Sequence, residues 1–145
     1  MKYLAIIRHG EFTEGETTLN EKGRAQITSL VPILKQLNPK IYSSVGPRSI
    51  ESANLIADKL HITNHALECF GSNTRSSENI YYQSAYDLLS KVEGNVVIVT
   101  KGEWANDFIS FFCNKAMNIK VGQFQVERGR GVLVDCLNKK VTPLP

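Results

Sequence analysis

An apolar run at the start of the chain, Tyr3-Leu4-Ala5-Ile6-Ile7, ends abruptly in the polar residues Arg8-His9-Gly10-Glu11. The run has the length and composition of a strand that is buried on both faces of a parallel sheet. Open α/β sheets keep their ligand sites at the carboxyl edge, and such a strand would present Arg8 and His9 there. This feature therefore predicts both the type of sheet and the edge at which a site lies.

The two side chains that follow this strand have complementary chemistry. A neutral imidazole such as that of His9 can attack phosphorus, and a neighbouring guanidinium such as that of Arg8 can hold phosphoryl oxygens in a bidentate manner. Gly10 allows the backbone to leave the strand sharply and allows a ligand to come close. The segment thus carries side chains that are able to bind and attack a phosphoryl group.

Length and composition limit the class of protein. The 145 residues predict one domain, 1–145, with an ordinary hydrophobic content of 42% and a mild net charge of +3. Basic residues are spread along the chain rather than clustered with aromatics, so no nucleic-acid partner is expected. The absence of a membrane-length apolar stretch or a signal-peptide pattern predicts a cytoplasmic protein without a membrane partner. Cys69, Cys113 and Cys136 are expected to be reduced thiols.

Strands and helices alternate along the rest of the chain. The pattern first predicts a helix from Asn20 towards Leu37, a strand at 40–44 and a helix opened by Gly46-Pro47. A weak strand at 66–70, a loop at 71–77 and a helix at 77–92 are predicted next. The buried strand 96–99, an aromatic-rich helix and closing strands at 123–126 and 131–137 complete the predicted order. Pro32 predicts a kink or an early break in the first helix. The alternation predicts a three-layer α/β/α domain, with a mostly parallel sheet and helices on both faces.

Three segments in this order carry a family resemblance. They are Arg8-His9-Gly10-Glu11, then Leu19-Asn20-Glu21-Lys22-Gly23-Arg24-Ala25-Gln26, then Ser43-Ser44-Val45-Gly46-Pro47-Arg48-Ser49-Ile50-Glu51-Ser52-Ala53. They resemble the signature of the histidine phosphatase superfamily, which includes phosphoglycerate mutases and small phosphohistidine phosphatases. The resemblance implies a phosphoglycerate-mutase-like α/β fold from Tyr3 to about Leu137.

The resemblance also implies roles for individual residues. His9 would be the nucleophile that carries a covalent phosphoryl group, while Arg8 and Arg48 would neutralise and orient that group from opposite sides. Arg48 lies where a strand ends and a helix begins, and a helix N-terminus attracts anions. No cofactor or metal is expected, because no cluster of metal ligands is visible.

A fourth segment departs from the family pattern. The strand Val96-Val97-Ile98-Val99 is followed by Thr100-Lys101-Gly102, where family members usually have a second His before the Gly. Lys101 and Gly102 are therefore candidate phosphate-binding residues, but a flexible ammonium is a less fixed donor than a packed imidazole. The remaining histidines, His61 and His65, are expected in surface or turn positions. A Schiff-base role for Lys101 is the least favoured interpretation.

The proton donor to the leaving group stays open among three carboxylates. Glu68 loosely resembles the family's general acid, although its spacing is one residue short, and an exposed structural role is equally favoured. Glu11 and Glu103 are rivals because each follows a strand that ends at the same edge. Arg128 and Arg130 would either extend a basic rim or lie on an exposed turn, and the exposed turn is favoured.

Two functions follow from these residues. The first is hydrolysis of a phosphomonoester or phosphohistidine through a phosphohistidine intermediate on His9, with turnover that Lys101 either permits or impairs. The second is an inactive or weakly active relative that binds phosphate or a phosphorylated ligand. The expected partner is a phosphate-containing small molecule or a phosphoprotein, and the oligomeric state is left open.

Overall fold

The computed structural model describes residues 1–71 and 78–145. Six strands and four helices occur in this part of the chain, together with a short 3-10 turn at Glu68–Phe70. The strands are β1 (Tyr3–Arg8), β2 (Lys40–Ser43), β3 (Asn64–Ala66), β4 (Val96–Thr100), β5 (Gly131–Asp135) and β6 (Lys140–Pro143). The helices are α1 (Glu21–Gln36), α2 (Pro47–Leu60), α3 (Glu78–Lys91) and α4 (Gly102–Met117). The loop predicted at 71–77 lies outside the described residues, except for Gly71.

All six strands form a single sheet in the order β3-β2-β4-β1-β5-β6. The first four of these are parallel neighbours, whereas β5 runs antiparallel to β1 and β6 antiparallel to β5. In the centre, β1 and β4 pair from Leu4 opposite Val96 to Arg8 opposite Thr100. The mostly parallel sheet predicted from the alternating elements is confirmed, with an antiparallel edge.

Helices cover both faces of the sheet, because successive residues of the central strands point to opposite sides. One core contains Leu4 and Ile6 of β1, and α3 and α4 supply most of its aromatic side chains. The other core contains Ala5 and Ile7 of β1 and packs against α1 and α2. The three-layer arrangement is therefore confirmed. No helix within the described ranges has the length and apolar character needed to span a membrane.

Two local predictions about the helices have different outcomes. Asn20 caps α1 as predicted, and its side-chain oxygen accepts a hydrogen bond of 2.9 Å from the Gly23 N–H. The predicted break at Pro32 is wrong, because α1 continues through it to Gln36. Pro32 lies on the exposed side, where water can satisfy the carbonyl that the proline leaves unpaired. Burial of the opposite, apolar side of α1 outweighs the lost hydrogen bond.

Two predicted strands are also wrong. Residues 123–126 are irregular, and the backbone of Val126 binds side chains: its N–H donates to Asn106 Oδ1 (2.8 Å), and its carbonyl accepts from Arg8 Nη1 (3.1 Å). The closing hairpin is instead formed by β5 and β6. The weak strand predicted at 66–70 lies earlier in the chain, where it forms β3, and the 3-10 turn occupies Glu68–Phe70.

The loop after β1 is held against α1 by direct contact between backbones. A Cβ atom at Gly10 would lie 2.6 Å from the Gly23 carbonyl oxygen, and one at Gly23 would lie 2.1 Å from the Glu11 carbonyl oxygen. Side chains add to this attachment: the Glu11 N–H donates to Gln26 Oε1 of α1 (3.0 Å), and the Gly10 N–H donates to Ser52 Oγ of α2 (3.1 Å). The glycine in the second sequence segment thus allows α1 to fix the position of the residues that follow β1.

We expect Gly23→Ala to destabilise the fold and to displace this loop. Its methyl group would overlap the backbone at Glu11, and overpacking of this kind costs about 1–3 kcal/mol. Chemical denaturation should show a reduced free energy of unfolding. The neighbouring exposed variant Lys22→Ala is the control and should remain within about 0.5 kcal/mol of the wild type. Equal stability of the two variants would contradict the close contact.

Candidate active site

Three connections meet at the carboxyl edge of the sheet. The His9 N–H continues the ladder of β1 by donating to the Thr100 carbonyl (3.0 Å), so that His9 lies beside the end of β4. The Ser44 N–H donates to the Val99 carbonyl (3.0 Å), which joins the end of β2 to the same place. Residues that are far apart in the sequence are therefore neighbours at this edge, as expected for parallel strands.

A small cavity of about 120 Å³ lies between these connections. It is lined by His9, Ser44, Gly46, Pro47, Arg48, Ser49 and Lys101. Three residues predicted to form the site, His9, Arg48 and Lys101, are thus brought together. Pockets for drug-sized molecules usually have volumes of about 300 Å³ or more, so this cavity is suited to a small group such as a phosphoryl group.

The His9 ring is held in one tautomer. Its Nδ1 lies 3.0 Å from the Gly10 carbonyl oxygen, which can only accept a hydrogen bond. Nδ1 therefore carries the proton, and in the neutral ring Nε2 retains its lone pair. The side chain is only 8% exposed and also contacts the Phe12 ring, with centroids 5.7 Å apart. The hydrogen bond to the backbone thus leaves the lone pair on Nε2.

The surroundings of His9 favour its neutral form. Burial lowers the pKa of the imidazole, and the positive charges of Arg8, Arg48 and Arg128 lower it further, while the hydrogen bond to Gly10 opposes the shift. A neutral imidazole is the form that can act as a nucleophile.

Arg8 lies beside His9 but does not line the cavity. Its Nη1 donates to the Val126 carbonyl (3.1 Å), and its buried Nε has no hydrogen-bond partner among the described residues. A Cβ atom at Gly102 would lie 2.7 Å from this Nε, so the glycine at the start of α4 leaves room for the guanidinium. Burial and the charge of Arg128 lower the pKa of Arg8, and Glu11 and Glu103 oppose this shift.

Arg48 lines the cavity from the first turn of α2. Its Nε and Nη2 both donate to the Glu16 carbonyl, and its guanidinium carbon lies 3.6 Å from the centre of the Phe12 ring. Both α2 and α4 begin at the cavity, with Gly46 and Lys101 as their N-cap residues. The N–H groups of two helix N-termini add positive potential to that of the side chains.

The three candidate proton donors occupy different positions. Glu68 is exposed in the 3-10 turn after β3. Glu11 Oε2 accepts a hydrogen bond of 3.2 Å from Arg128 Nη1. Glu103 is exposed in the first turn of α4, and its charge acts on Arg8. All three follow strands at the correct edge, but the residues that line the cavity include none of them.

Sequence reasoning did not single out Phe12, and it favoured the wrong one of its two alternatives for Arg128. Arg128 does not stand on a plain exposed turn: its guanidinium carbon is 4.2 Å from the centre of the Phe12 ring. The adjacent Gly129 N–H donates to both the Arg8 and His9 carbonyls (3.1 and 2.9 Å). The predicted strand at 123–126 did not indicate this arrangement, in which the Arg-Gly-Arg turn leads into β5 and β5 pairs directly with β1.

Other predicted features have clear positions. His61 ends α2 and His65 lies in β3, and both are exposed as expected. In the part of the chain that the structure describes, no group of three or more His, Cys, Asp or Glu side chains could hold a metal ion.

Comparisons with known proteins agree with this geometry. Residues 4–71 match the model of the histidine phosphatase superfamily, branch 1. The fold is similar to that of a mycobacterial glucosyl-3-phosphoglycerate phosphatase (12% identity, TM-score 0.63, 99% of this chain and 97% of that chain). It is also similar to that of the TTHB049 protein from Thermus thermophilus (17% identity, TM-score 0.64, 99% of each chain).

A third similar structure is the Rv3214 protein of Mycobacterium tuberculosis (19% identity, TM-score 0.64, 91% of this chain and 90% of that chain). At these identities, the three structures establish a common fold. No curated protein sequence matches the chain. The family match covers the strand-loop-helix segments that build most of the cavity, and the fold match extends over nearly the whole chain. The match to the histidine phosphatase superfamily thus spans just under half of the chain, and the similarity beyond it is a similarity of fold.

Proposed function

We propose that this protein hydrolyses phosphomonoesters or phosphoramidates, including phosphohistidine, through a phosphohistidine intermediate on His9. The observation that carries the proposal is the orientation of His9. Its Nδ1 is engaged by the Gly10 carbonyl, while the residue lines a small cavity together with Arg48 and Lys101. The family and the phosphatase among the similar structures support the same class of reaction.

The proposed reaction has two displacements at phosphorus. In the first, the Nε2 lone pair of His9 forms the N–P bond while the bond from phosphorus to the leaving oxygen or nitrogen breaks, and the leaving group takes that electron pair and a proton. In the second, water forms an O–P bond, the N–P bond breaks, and orthophosphate leaves while the water proton is released. Arg48, Lys101 and the helix N-termini stabilise the phosphoryl oxygens in both steps.

The proton donor depends on the leaving group. An alkoxide needs a proton as it departs, and Glu68, Glu11 and Glu103 are the candidates at this edge of the sheet. An imidazole leaving group makes a smaller demand for a strong acid, so phosphohistidine requires the least rearrangement of these carboxylates. The small cavity accommodates the phosphoryl group, and the rest of a small-molecule or phosphoprotein substrate would lie outside it.

A second candidate function is phosphate binding with little or no turnover. It is favoured by Lys101, which lines the cavity at the position where the family usually has its second His. Lys101 supplies charge for binding, but its flexible side chain does not provide the fixed hydrogen bond of an imidazole in the transition state. The following measurements separate the two functions.

We expect the wild-type protein to release aryl alcohol from para-nitrophenyl phosphate in a burst and to acquire acid-labile phosphate. His9→Asn should abolish both signals, because the nucleophile is removed. His61→Asn is the matched control: His61 is exposed at the end of α2, with a φ of 58° that Asn tolerates. Phosphate binding without a burst or a phosphoenzyme would favour the binding function.

Lys101→His tests whether the rest of the site is competent. One preorganised transition-state donor is worth about 10²–10³ in rate, so this variant should gain up to that factor in kcat. Lys101→Met, which removes the charge, should lose activity and weaken phosphate binding. Steady-state kinetics with para-nitrophenyl phosphate measures both effects, and a loss of activity in Lys101→His would show that the ammonium itself is needed.

The pKa of His9 should lie below the ordinary value of 6.5, because burial and three arginines disfavour the imidazolium. The unfolded chain then binds a proton more readily than the native protein, so the free energy of unfolding should fall as the pH decreases below about 6.5. An NMR titration of the imidazole signals, assigned with His9→Asn, measures this pKa. A value at or above 6.5 would show that burial and the arginines do not lower the pKa of His9.

A further inference from the structure

The Phe12 ring contacts two guanidinium groups beside His9. The guanidinium carbon of Arg48 is 3.6 Å from the ring centre and that of Arg128 is 4.2 Å from it. The same ring contacts His9, with centroids 5.7 Å apart. Two like charges on one ring would normally repel each other, but the negative face of an aromatic ring attracts each of them.

The backbone brings Arg128 to this position. The Arg8 N–H donates to the Arg130 carbonyl (2.9 Å), and the Gly129 N–H donates to the carbonyls of both Arg8 and His9. Gly129 adopts a φ of 71°, and a Cβ atom there would lie 2.5 Å from Gln26 Oε1. The turn therefore fits closely between β1 and α1, and this fit directs Arg128 towards Phe12.

Arg128 also forms an ion pair beside the Phe12 ring. Glu11 Oε2 accepts a hydrogen bond of 3.2 Å from Arg128 Nη1, so the Arg128 charge is partly offset on one side of the guanidinium. Arg128 is also close enough for its charge to act on both Arg8 and His9. Three arginines thus surround His9, and only one of them belongs to the cavity lining.

We propose that Arg128 is a third phosphate-binding guanidinium of this site, and that Phe12 is a positioning residue that holds Arg48 and Arg128 together beside His9. The inference rests on the proposed function for the identity of the anion, a phosphoryl group. Arg128 supplies N–H donors and positive charge from a planar guanidinium group. This group is more rigid than the ammonium of Lys101, which lies at the end of a flexible side chain. Phe12 acts on the phosphoryl group only through the two guanidinium groups.

Binding of inorganic phosphate, measured by isothermal titration calorimetry in about 0.15 M salt, where exposed charges are screened beyond about 8 Å, tests this proposal without requiring turnover. Arg128→Gln should weaken binding about tenfold, as expected for a charged hydrogen bond. Arg130→Gln is the matched control, because it removes the same charge from an exposed side chain two residues away, and it should stay within about twofold of the wild type. Equal effects of the two variants would overturn the role of Arg128.

Phe12 is tested by two substitutions that differ in the aromatic ring. Phe12→Leu keeps an apolar side chain but removes the π face, and should weaken phosphate binding about fivefold. Phe12→Tyr keeps the ring and should bind phosphate as the wild type does. Thermal unfolding of both variants separates a positioning role from a packing role. If Phe12 acts by packing alone, Phe12→Leu should lose thermal stability together with its affinity for phosphate. The positioning role would be overturned if Phe12→Leu bound phosphate as tightly as the wild type. It would also be overturned if Phe12→Leu and Phe12→Tyr lost the same amount of phosphate affinity.

A separate readout distinguishes this inference from the proposed function. Acid-labile phosphate on His9 reports the proposed function, whereas the affinity for inorganic phosphate reports the inference. Weakened binding in Arg128→Gln supports the inference even if the wild type forms no phosphoenzyme. Conversely, a wild-type phosphoenzyme together with unchanged phosphate affinity in Arg128→Gln overturns the inference and leaves the function standing.

Discussion

The pairing of β1 with both of its neighbours is the constraint on which the site depends. On one side, the parallel register with β4 ends with Arg8 opposite Thr100, and the His9 N–H extends it by one more hydrogen bond. On the other side, β5 runs antiparallel, so the turn before it meets the same residues. A shift of either register by one residue would turn the side chains of β1 to the opposite face and would separate His9 from Lys101 and Arg128.

Electrostatics gives this edge its chemical character. A buried imidazole is placed among arginines and two helix N-termini, and these surroundings favour an uncharged ring and an anionic ligand. The arrangement costs stability, because Arg8 is partly desolvated and its Nε has no partner among the described residues. Sites that bind charged transition states commonly contain such preorganised charge, and a bound anion would offset part of this cost.

Much of the fold could be predicted because its signals are local. The buried strands 3–8 and 96–100, the cap at Asn20 and the helix opened by Gly46-Pro47 follow from apolar patterns and from capping chemistry. The failures have tertiary causes. Pro32 is tolerated because the rest of α1 is packed on the sheet, and at the end of the segment 123–126 the backbone of Val126 binds Asn106 and Arg8 instead of a neighbouring strand. No local pattern reports such distant partners.

The sequence by itself determined that a strand ends in Arg8 and His9, that Arg48 and Lys101 follow two further strands, and that these strands belong to one mostly parallel α/β sheet. The order of the residues is sufficient for this prediction, because the residues that follow parallel strands lie at the same edge of the sheet. Only the tertiary structure decided that the Gly10 carbonyl fixes the His9 tautomer, that Arg8 is not among the residues that line the cavity, and that Phe12 contacts both His9 and Arg128. These outcomes depend on side-chain directions and on contacts between loops far apart in the sequence, which the spacing of residues along the chain does not encode.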